Sequence, residues 1–498
     1  MKSFSNSNNK GLFNLSVITY VIGTLVLLNG ILMLCCIPFA WIYDASEDLH
    51  WDFLICSSIT ILFGSVMRLS TKSDKNAEIK KRDGYLIVVG GWICMSLFGA
   101  LPYIISESIP YFTDAFFETM SGFTTTGSTI LNDIESLPRS ILFWRSMTQW
   151  IGGMGIIVLT IAVLPLLGIG GMELFVAEAP GPTKDKIHPR IKETAKRLWI
   201  IYFGLTALET IILLFLGLDF FDAINHALTT TSTGGFSTKQ QSIAAFNNPW
   251  VETVIVLFML AAGTNFTLIY FGLKLKLKKL LKNDEFKWFI LSITSLTIIL
   301  TLIHFFTVDP SSIVSSFRVI SFQVVSVITT TGYATADYTF WGSFMSFIFF
   351  LFLFSGASAG STSGGIKIVR IILLIKNGLL EFKRRLHPKA IIPLILNGNT
   401  VSGQITYNLL AFIFLYLFIF TLGSLILTVI GVDFLTSISA AATAIGNVGP
   451  GIGSVGPSAS FSHLPDLAKW VLSLLMLMGR LELFTVCVLF TPYFWKRI

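Results

Sequence analysis

The chain has 498 residues, of which 53% are hydrophobic and 13% are charged, and its mean hydropathy is +0.75. A soluble domain carries about 25% charged residues, so this composition excludes a string of soluble domains and indicates a polytopic membrane protein. The net charge is +7, from 35 basic and 28 acidic residues.

Ten apolar runs are long enough to cross a membrane as a helix, which takes about 20 residues. They lie at residues 14–43, 51–69, 84–106, 138–165, 198–218, 249–275, 286–307, 341–377, 403–430 and 465–491. Four shorter apolar segments lie between spans, at 111–126, 219–234, 313–331 and 433–448. Since these are too short to cross, we predict re-entrant helices that enter the membrane and return.

The basic residues are clustered between the apolar runs. The clusters are Lys2 and Lys10, Arg68 to Arg82, Lys184 to Arg197, Lys274 to Lys287, Lys367 to Lys389, and Lys496 with Arg497, which together hold 29 of the 35 basic residues. This distribution marks cytoplasmic segments of a membrane protein and does not favour a nucleic-acid-binding surface. We therefore expect both termini in the cytoplasm and the re-entrant helices on the outer side.

Each short segment ends in a tract rich in threonine or glycine. The glycines in register are Gly127, Gly235, Gly332 and Gly449, spaced by 108, 97 and 117 residues. We predict two leading transmembrane helices, at 1–83, followed by four repeats of helix, pore loop and helix, at 84–172, 173–283, 284–390 and 391–498. The expected fold is an all-α polytopic membrane protein with pseudo-four-fold symmetry around one ion pore.

The four tracts are candidate cation ligands. Irregular backbone within a membrane persists only where it is buried in protein or lines a wet cavity, and carbonyl oxygens around an axis can replace the water shell of a cation. Glycine provides backbone angles that are closed to other residues. The alternative is that the tracts are turns or helix caps without an ion. The candidate residues are Thr125, Thr126, Gly127, Thr233, Gly234, Gly235, Thr330, Thr331, Gly332, Asn447, Val448 and Gly449.

Two features interrupt the apolar spans of the last two repeats. Eleven small residues, Ser355 to Gly365, indicate a flexible break in a pore-lining helix, and a small-residue packing face is the alternative. Arg480 lies in the middle of the last span, where a charge is costly and usually faces a partner or a wet cavity. Counted along the chain from the tract glycines, both features lie at one depth. The alternative role for Arg480 is a purely structural ion pair with Glu482.

Two other arginines, Arg145 and Arg318, lie near the outer ends of their segments. We expect them to support the outer face, as partners of Glu118 or Asp114.

Several sequence runs together resemble the Trk/Ktr/HKT superfamily of potassium-translocating and, in some members, sodium-translocating proteins. They are the four tracts, the run FWRSMTQWIGGMGIIVL from Phe143 to Leu159, the run SAGSTSGGIK from Ser358 to Lys367, and MGRLE from Met478 to Glu482. The two leading helices are similar to those of the bacterial TrkH/TrkG branch.

This resemblance implies potassium uptake across the bacterial inner membrane, with potassium both transported and bound in the tracts. It also implies a homodimer with one pore per subunit and cytosolic TrkA-type nucleotide-binding regulatory subunits. The sequence has no dinucleotide fingerprint, so we expect no organic cofactor in this chain. The resemblance makes the interrupted span an intramembrane gate, with the residues Ser355, Gly356, Gly360, Ser361, Thr362, Ser363, Gly364, Gly365 and Arg480.

Three other functions agree less well with the sequence than potassium uptake does. The first is sodium selectivity on the same architecture. In plant members of the superfamily, sodium preference accompanies a serine in place of the first tract glycine. This chain has a glycine there, Gly127, which favours potassium. A coupled symporter for an organic solute predicts inverted repeats, which four repeats of one direction do not match. An enzyme is least supported, because the sequence displays no nucleophile–base pair or metal cluster. Whether protons or sodium ions are coupled to the flux stays open.

Overall fold

The computed structural model describes residues 13–71, 80–163 and 191–496. The predicted cytoplasmic residues Lys2, Lys10 and Arg497 lie outside the described residues, as do parts of the clusters that begin at Arg68 and Lys184.

The leading segment is a hairpin of helices. Its helices are α1 (Leu15–Met33), α2 (Ile37–Tyr43) and α3 (Leu49–Leu69). The backbones of α1 and α3 approach closely at two glycines: a Cβ on Gly64 would lie 2.8 Å from the carbonyl oxygen of Gly23. Small residues at such crossings let membrane helices pack tightly.

Four repeats follow, each with a long helix, a short helix and a second long but interrupted helix. The first repeat has α4 (Lys81–Gly99), α5 (Leu101–Ile105), α6 (Phe112–Phe123) and α7 (Arg139–Val163). The second has α8 (Ile191–Phe215), α9 (Phe220–Thr231), α10 (Pro249–Gly263), α11 (Phe266–Leu273) and α12 (Leu277–Lys282). The third has α13 (Asp284–Thr307), α14 (Ile313–Ile328), α15 (Ser343–Phe352) and α16 (Ile368–Leu386). The fourth has α17 (Gly403–Ile430), α18 (Phe434–Gly446), α19 (Asp466–Arg480), α20 (Phe484–Cys487) and α21 (Pro492–Trp495).

A short antiparallel hairpin of β1 (Leu394–Leu396) and β2 (Asn399–Val401) connects the third repeat to the fourth, with Leu394 opposite Val401.

Each of the four predicted re-entrant segments contains a short helix, α6, α9, α14 or α18. Acidic or hydroxyl side chains begin three of them: Asp219, Ser312 and Asp433 each accept a hydrogen bond from a backbone N–H in the first turn of their helix. Such caps satisfy amides that have no partner within the helix. The predicted positions of all four helices agree with the structure to within a few residues.

The prediction of ten continuous spans was too simple. Within the described residues, six helices are long and apolar enough to cross a membrane, and two further spans result if each bent helix pair counts as one. These pairs are α10 with α11, bent by 110°, and α19 with α20, bent by 112°. The predicted span 341–377 is divided by the loop between α15 and α16.

The predicted span 138–165 corresponds to α7, which is kinked at Gly155. The end of that predicted span lies outside the described residues. In all four repeats, therefore, the segment after the short helix is kinked or broken.

Candidate functional site

The four tracts share one backbone conformation. We call them tract 1 (Thr125–Gly127), tract 2 (Thr233–Gly235), tract 3 (Thr330–Gly332) and tract 4 (Asn447–Gly449). The first residue of each has a φ between 51° and 57°, and the glycine has a φ between 78° and 108°. These angles lie in the left-handed region, which glycine adopts without a steric penalty. The same two-step turn therefore ends all four short helices.

Backbone hydrogen bonds anchor each tract to its own short helix. The amide of Thr125 donates to the carbonyl of Gly122 (2.9 Å), and the amide of Thr126 donates to that of Ser121 (2.9 Å). Equivalent pairs occur in the other tracts: Thr233 with Thr230, Gly234 with Thr229, Thr330 with Val327, Thr331 with Ser326, Asn447 with Ala444, and Val448 with Thr443. The tracts are thus rigid extensions of the helices.

The four tracts form a closed ring. A Cβ on Gly127 would overlap the carbonyl oxygen of Gly234 in tract 2. In the same way, a Cβ on Gly235 would overlap the carbonyl of Thr331, and one on Gly332 that of Val448. The circle closes at Gly449, where a Cβ would lie 2.7 Å from the carbonyl oxygen of Thr126. Each glycine therefore packs against the middle carbonyl of the next tract in cyclic order.

Side chains fasten the ring where tract 4 meets tract 1. Asn447 Nδ2 donates to Thr126 Oγ1 (2.9 Å) and to the carbonyl of Met476 (2.9 Å). Ser128 Oγ donates to the carbonyl of Gly449 (2.9 Å). The bonds of Asn447 to Thr126 and of Ser128 to Gly449 each join residues 321 positions apart in the chain, so they connect the two ends of the ring.

Gln149 supports tract 2 from α7. Its Nε2 donates to the carbonyl of Gly234 (2.6 Å), and its Oε1 accepts from the amide of Phe236 (3.0 Å). The amide group therefore spans the tract glycine pair and fixes its position. Gln149 was not among the predicted site residues, although it lies within the run from Phe143 to Leu159.

A buried ion pair connects the segments that follow tracts 1 and 2. Arg145 Nε lies 2.6 Å from Glu118 Oε1, and their side chains are 2% and 0% exposed. Glu118 also accepts from the amide of Ile130 (2.9 Å), and Arg145 donates to the carbonyl of Ser237 (2.9 Å). The predicted pairing of Arg145 with Glu118 is confirmed, and its place at the outer face stays a prediction.

The predicted partners of Arg318 and Asp114 were wrong. Arg318 pairs with Glu252 at 3.3 Å, and Asp114 pairs with Lys469 at 2.5 Å. Both contacts join different helices, which a sequence without an alignment does not reveal.

A cavity opens over the ring. The four tract glycines all line it, together with residues of the following segments such as Ser128, Ser237 and Ala334. One space thus gives access to all four tracts.

The segment from Ser355 to Gly365 is an irregular loop between α15 and α16. Its two ends are joined by hydrogen bonds, since the amide of Gly356 donates to Ile366 (2.9 Å) and the amide of Ile366 donates to Phe354 (3.0 Å). The loop therefore projects from the helix as a closed unit.

The tip of the loop contacts three of the four tracts or their helices. Thr362 Oγ1 donates to the carbonyl of Thr231 (3.2 Å) just before tract 2. The amide of Gly364 donates to Thr330 Oγ1 in tract 3 (2.7 Å). A Cβ on Gly364 would lie 2.6 Å from the carbonyl oxygen of Gly446, next to tract 4. The loop therefore lies on the side of the ring where the C-terminal ends of the short helices are found.

The break between α10 and α11 holds the other side of the loop. Asn265 Nδ2 donates to the carbonyl of Ala359 (2.7 Å), and the amide of Phe266 donates to the carbonyl of Gly360 (3.1 Å). The carboxylate of Glu285 accepts from the amide of Ala359 (2.6 Å). Asn265 and Glu285 were not among the predicted site residues. The available sequence signal is that each is a polar residue within or beside an apolar span.

Arg480 contacts the loop directly. It donates to the carbonyl of Thr362 (2.8 Å) and to the carbonyls of Gly152 and Gly153 in α7 of the neighbouring first repeat. Glu482, the alternative partner predicted for Arg480, instead forms an ion pair with Arg370 of α16. The loop and the arginine that were placed at one depth from their offsets are thus in contact.

Comparison with known proteins identifies the family. Residues 50–497 match the family model TrkH, described as a cation transport protein. The Trk system potassium uptake protein TrkH of Escherichia coli (strain K12) is 42% identical over 485 residues, which cover 96% of this chain and 99% of that protein. The TrkG protein of the same strain is 38% identical over 483 residues, covering 96% of this chain and 98% of the relative.

A solved structure agrees with the fold. The crystal structure of the potassium transporter TrkH from Vibrio parahaemolyticus superimposes with a TM-score of 0.87 at 36% sequence identity, covering 97% of this chain and 100% of that one. Together with the membrane-spanning helices, these matches make the protein a multi-pass membrane transporter. The chain belongs to the TrkH family of cation transport proteins.

Proposed function

We propose that this chain takes up potassium across the bacterial inner membrane through a pore whose selectivity filter is the ring of four tracts. The observation that carries the proposal is the closed ring, in which four glycines of like conformation pack against four backbone carbonyls. A ring of carbonyl oxygens can replace the hydration shell of a dehydrated cation. The relatives named as potassium uptake proteins support potassium as the ion.

The rigidity of the ring supports selectivity. Gln149, Asn447 and the pair of Glu118 with Arg145 fix the tracts from behind. Because the supports are buried, the tracts cannot readily move to fit a smaller ion. Sodium selectivity is the second candidate, and Gly127, in place of the serine of plant sodium carriers, argues against it.

The loop and Arg480 together form the gate in this proposal. The loop contacts Thr233 of tract 2 and Thr330 of tract 3, and Arg480 fixes its tip through Thr362. A positive charge below the filter repels potassium, and the loop occupies the path. The helix α16 leaves the loop directly, so a force applied to α16 can withdraw it.

The driving force is the membrane potential. It provides about 2.3 kcal/mol per charge per 100 mV, which corresponds to roughly 40-fold accumulation, since about 1.4 kcal/mol is a factor of ten. A channel-like pore therefore suffices for uptake without a second ion.

The assembly in this proposal is a homodimer with both termini in the cytoplasm and with TrkA-type nucleotide-binding subunits on the cytosolic side. The support is the basic clusters and the relatives named as parts of a Trk system. The regulatory subunit would bind near α16 and move the loop.

Growth of a bacterium that lacks potassium uptake tests the proposal. Expression of this chain with a regulatory subunit should restore growth at low potassium, and rubidium uptake should be inhibited by potassium but not by sodium. Asn447→Ala removes the hydrogen bond between tracts 4 and 1, so this variant tests whether the ring is the selectivity filter. Restored growth that depends on sodium, or no uptake by a well-expressed protein, would refute the proposal.

A further inference from the structure

Glu209 is a carboxylic acid buried in the membrane-spanning helix α8. Its side chain is 0% exposed, and neither carboxyl oxygen has a hydrogen-bond partner among the described residues. An ionised carboxylate without a partner in such a site costs several kcal/mol. Ionisable residues within a membrane span are rare and usually mark a functional site.

Glu209 lies on the part of α8 that packs against the helix leading to tract 2. Thr206, one turn before Glu209 on α8, shares a 2.9 Å hydrogen bond with Thr231, and the hydroxyl of the adjacent Thr230 donates to the carbonyl of His226 (2.7 Å). The phenol oxygen of Tyr333 lies 2.5 Å from Thr229 Oγ1 and 3.4 Å from Thr230 Oγ1. Thr230 ends the helix that leads to tract 2, and Tyr333 directly follows tract 3. Glu209 therefore lies behind the joint between these tracts.

The charged and titratable groups on the helices packed against α8 are occupied by other partners in the described part of the chain. On α7, Arg139 pairs with Asp219 and Arg145 pairs with Glu118. On α9, Asp222 accepts from Thr238, and His226 bonds to the carbonyl of Asp222 and to Ser237. On α10, Glu252 pairs with Arg318, and on α11, Tyr270 bonds to Arg197. None of them forms an ion pair with Glu209.

We propose that Glu209 is a proton-binding site whose bound proton keeps α8 packed against α9 and so holds tract 2 in the ring. The proton comes from water and forms an O–H bond with one carboxyl oxygen; its release to water leaves a carboxylate. That carboxylate attracts water or a cation into the joint, because it has no basic partner there. Separation of α8 from Thr230 then displaces tract 2, and potassium flux falls as the pH rises.

Infrared spectroscopy of the purified full chain tests the proton directly. We expect the carbonyl band of a protonated carboxylic acid at neutral pH, reduced in Glu209→Gln and unchanged in the control Glu47→Gln, whose side chain is exposed. If Glu209→Gln leaves the band unchanged, Glu209 does not hold the proton and the proposal is wrong.

The effect on the ring rests on the proposed potassium conduction and is measured as flux into liposomes, with inner and outer pH varied separately. Once the pH exceeds the value at which Glu209 loses its proton, wild-type flux should fall by up to about tenfold for each further pH unit. Glu209→Gln, which mimics the protonated form, should keep its flux at high pH, while Glu47→Gln should behave as wild type. Glu209→Met introduces a second neutral side chain and should also keep its flux at high pH. It keeps the test valid if Glu209→Gln fails to fold.

Flux that depends on pH equally in wild type and in Glu209→Gln overturns the proposal, as does a wild type without pH dependence. A wild type that conducts no potassium at any pH refutes the proposed function, and the infrared band then decides on the proton site.

Discussion

Replacement of Gly127 by serine should weaken the preference for potassium over sodium. The φ of Gly127 is 84°, and a non-glycine residue in the left-handed region is disfavoured by roughly 1–2 kcal/mol. In addition, the new Cβ would overlap the carbonyl oxygen of Gly234. Tract 1 must therefore move away from tract 2, and the ring widens at that joint.

The magnitude follows from the strain. If the 1–2 kcal/mol is relieved by moving carbonyls away from the potassium positions, the ratio of potassium to sodium binding falls roughly 5- to 30-fold, since about 1.4 kcal/mol is a factor of ten. Competition of sodium with rubidium uptake in liposomes measures this ratio.

Gly217→Ser is the matched control. Gly217 has a φ of 97°, but a Cβ there has nothing within 4 Å. The control therefore carries similar backbone strain without the contact between tracts, and we expect it to lower stability but keep wild-type selectivity. Equal selectivity of Gly127→Ser, Gly217→Ser and wild type, with all three well folded, would refute the role of the contact between tracts.

Three further predictions follow from the site. Arg145→Gln leaves the buried carboxylate of Glu118 without its ion-pair partner, so the protein should lose about 3–5 kcal/mol of stability, measured as a lower melting temperature in detergent. The double variant with glutamine at both Arg145 and Glu118 should recover part of this loss, and no recovery would contradict a pairwise effect. Deletion of residues 361–363 from the loop, or Arg480→Gln, should raise rubidium flux and reduce its dependence on the regulatory subunit, whereas folded variants with wild-type flux would exclude the gate. A single cysteine at Lys278, in a background without the native cysteines, should not react with an impermeant thiol reagent added to intact cells, and labelling from outside would invert the predicted topology.

The short helices and their tracts were predictable because their signals are local. A capping side chain such as Asp433, a segment too short to cross, and a glycine at the left-handed position all stand in the sequence itself. Their recurrence in four copies added the register, and the register placed the loop and Arg480 at one depth.

The breaks in the second helices of repeats 2 and 4 were not predictable in the same way. The apolar run continues through Asn265, so periodicity and length indicate one helix. The break is stabilised by a tertiary contact, in which the amide of Phe266 donates to Gly360 nearly 100 residues away. The pairing of Arg370 with Glu482 likewise joins two repeats. Contacts of this kind depend on the packing of whole repeats and have no local sequence signal.

A ring built from one continuous polypeptide can vary in ways that a ring of identical subunits cannot. In a pore made of four identical subunits, every substitution appears four times around the axis, and a side chain too large for one quadrant is too large for all of them. Here a substitution alters one quadrant alone. Gly234 makes room for Gln149 in the second quadrant, while Thr126, Thr331 and Val448 occupy the same position in the others. The third quadrant alone supplies the loop, and the fourth supplies the arginine that contacts its tip. Asymmetric parts that would collide if repeated four times can coexist around one axis.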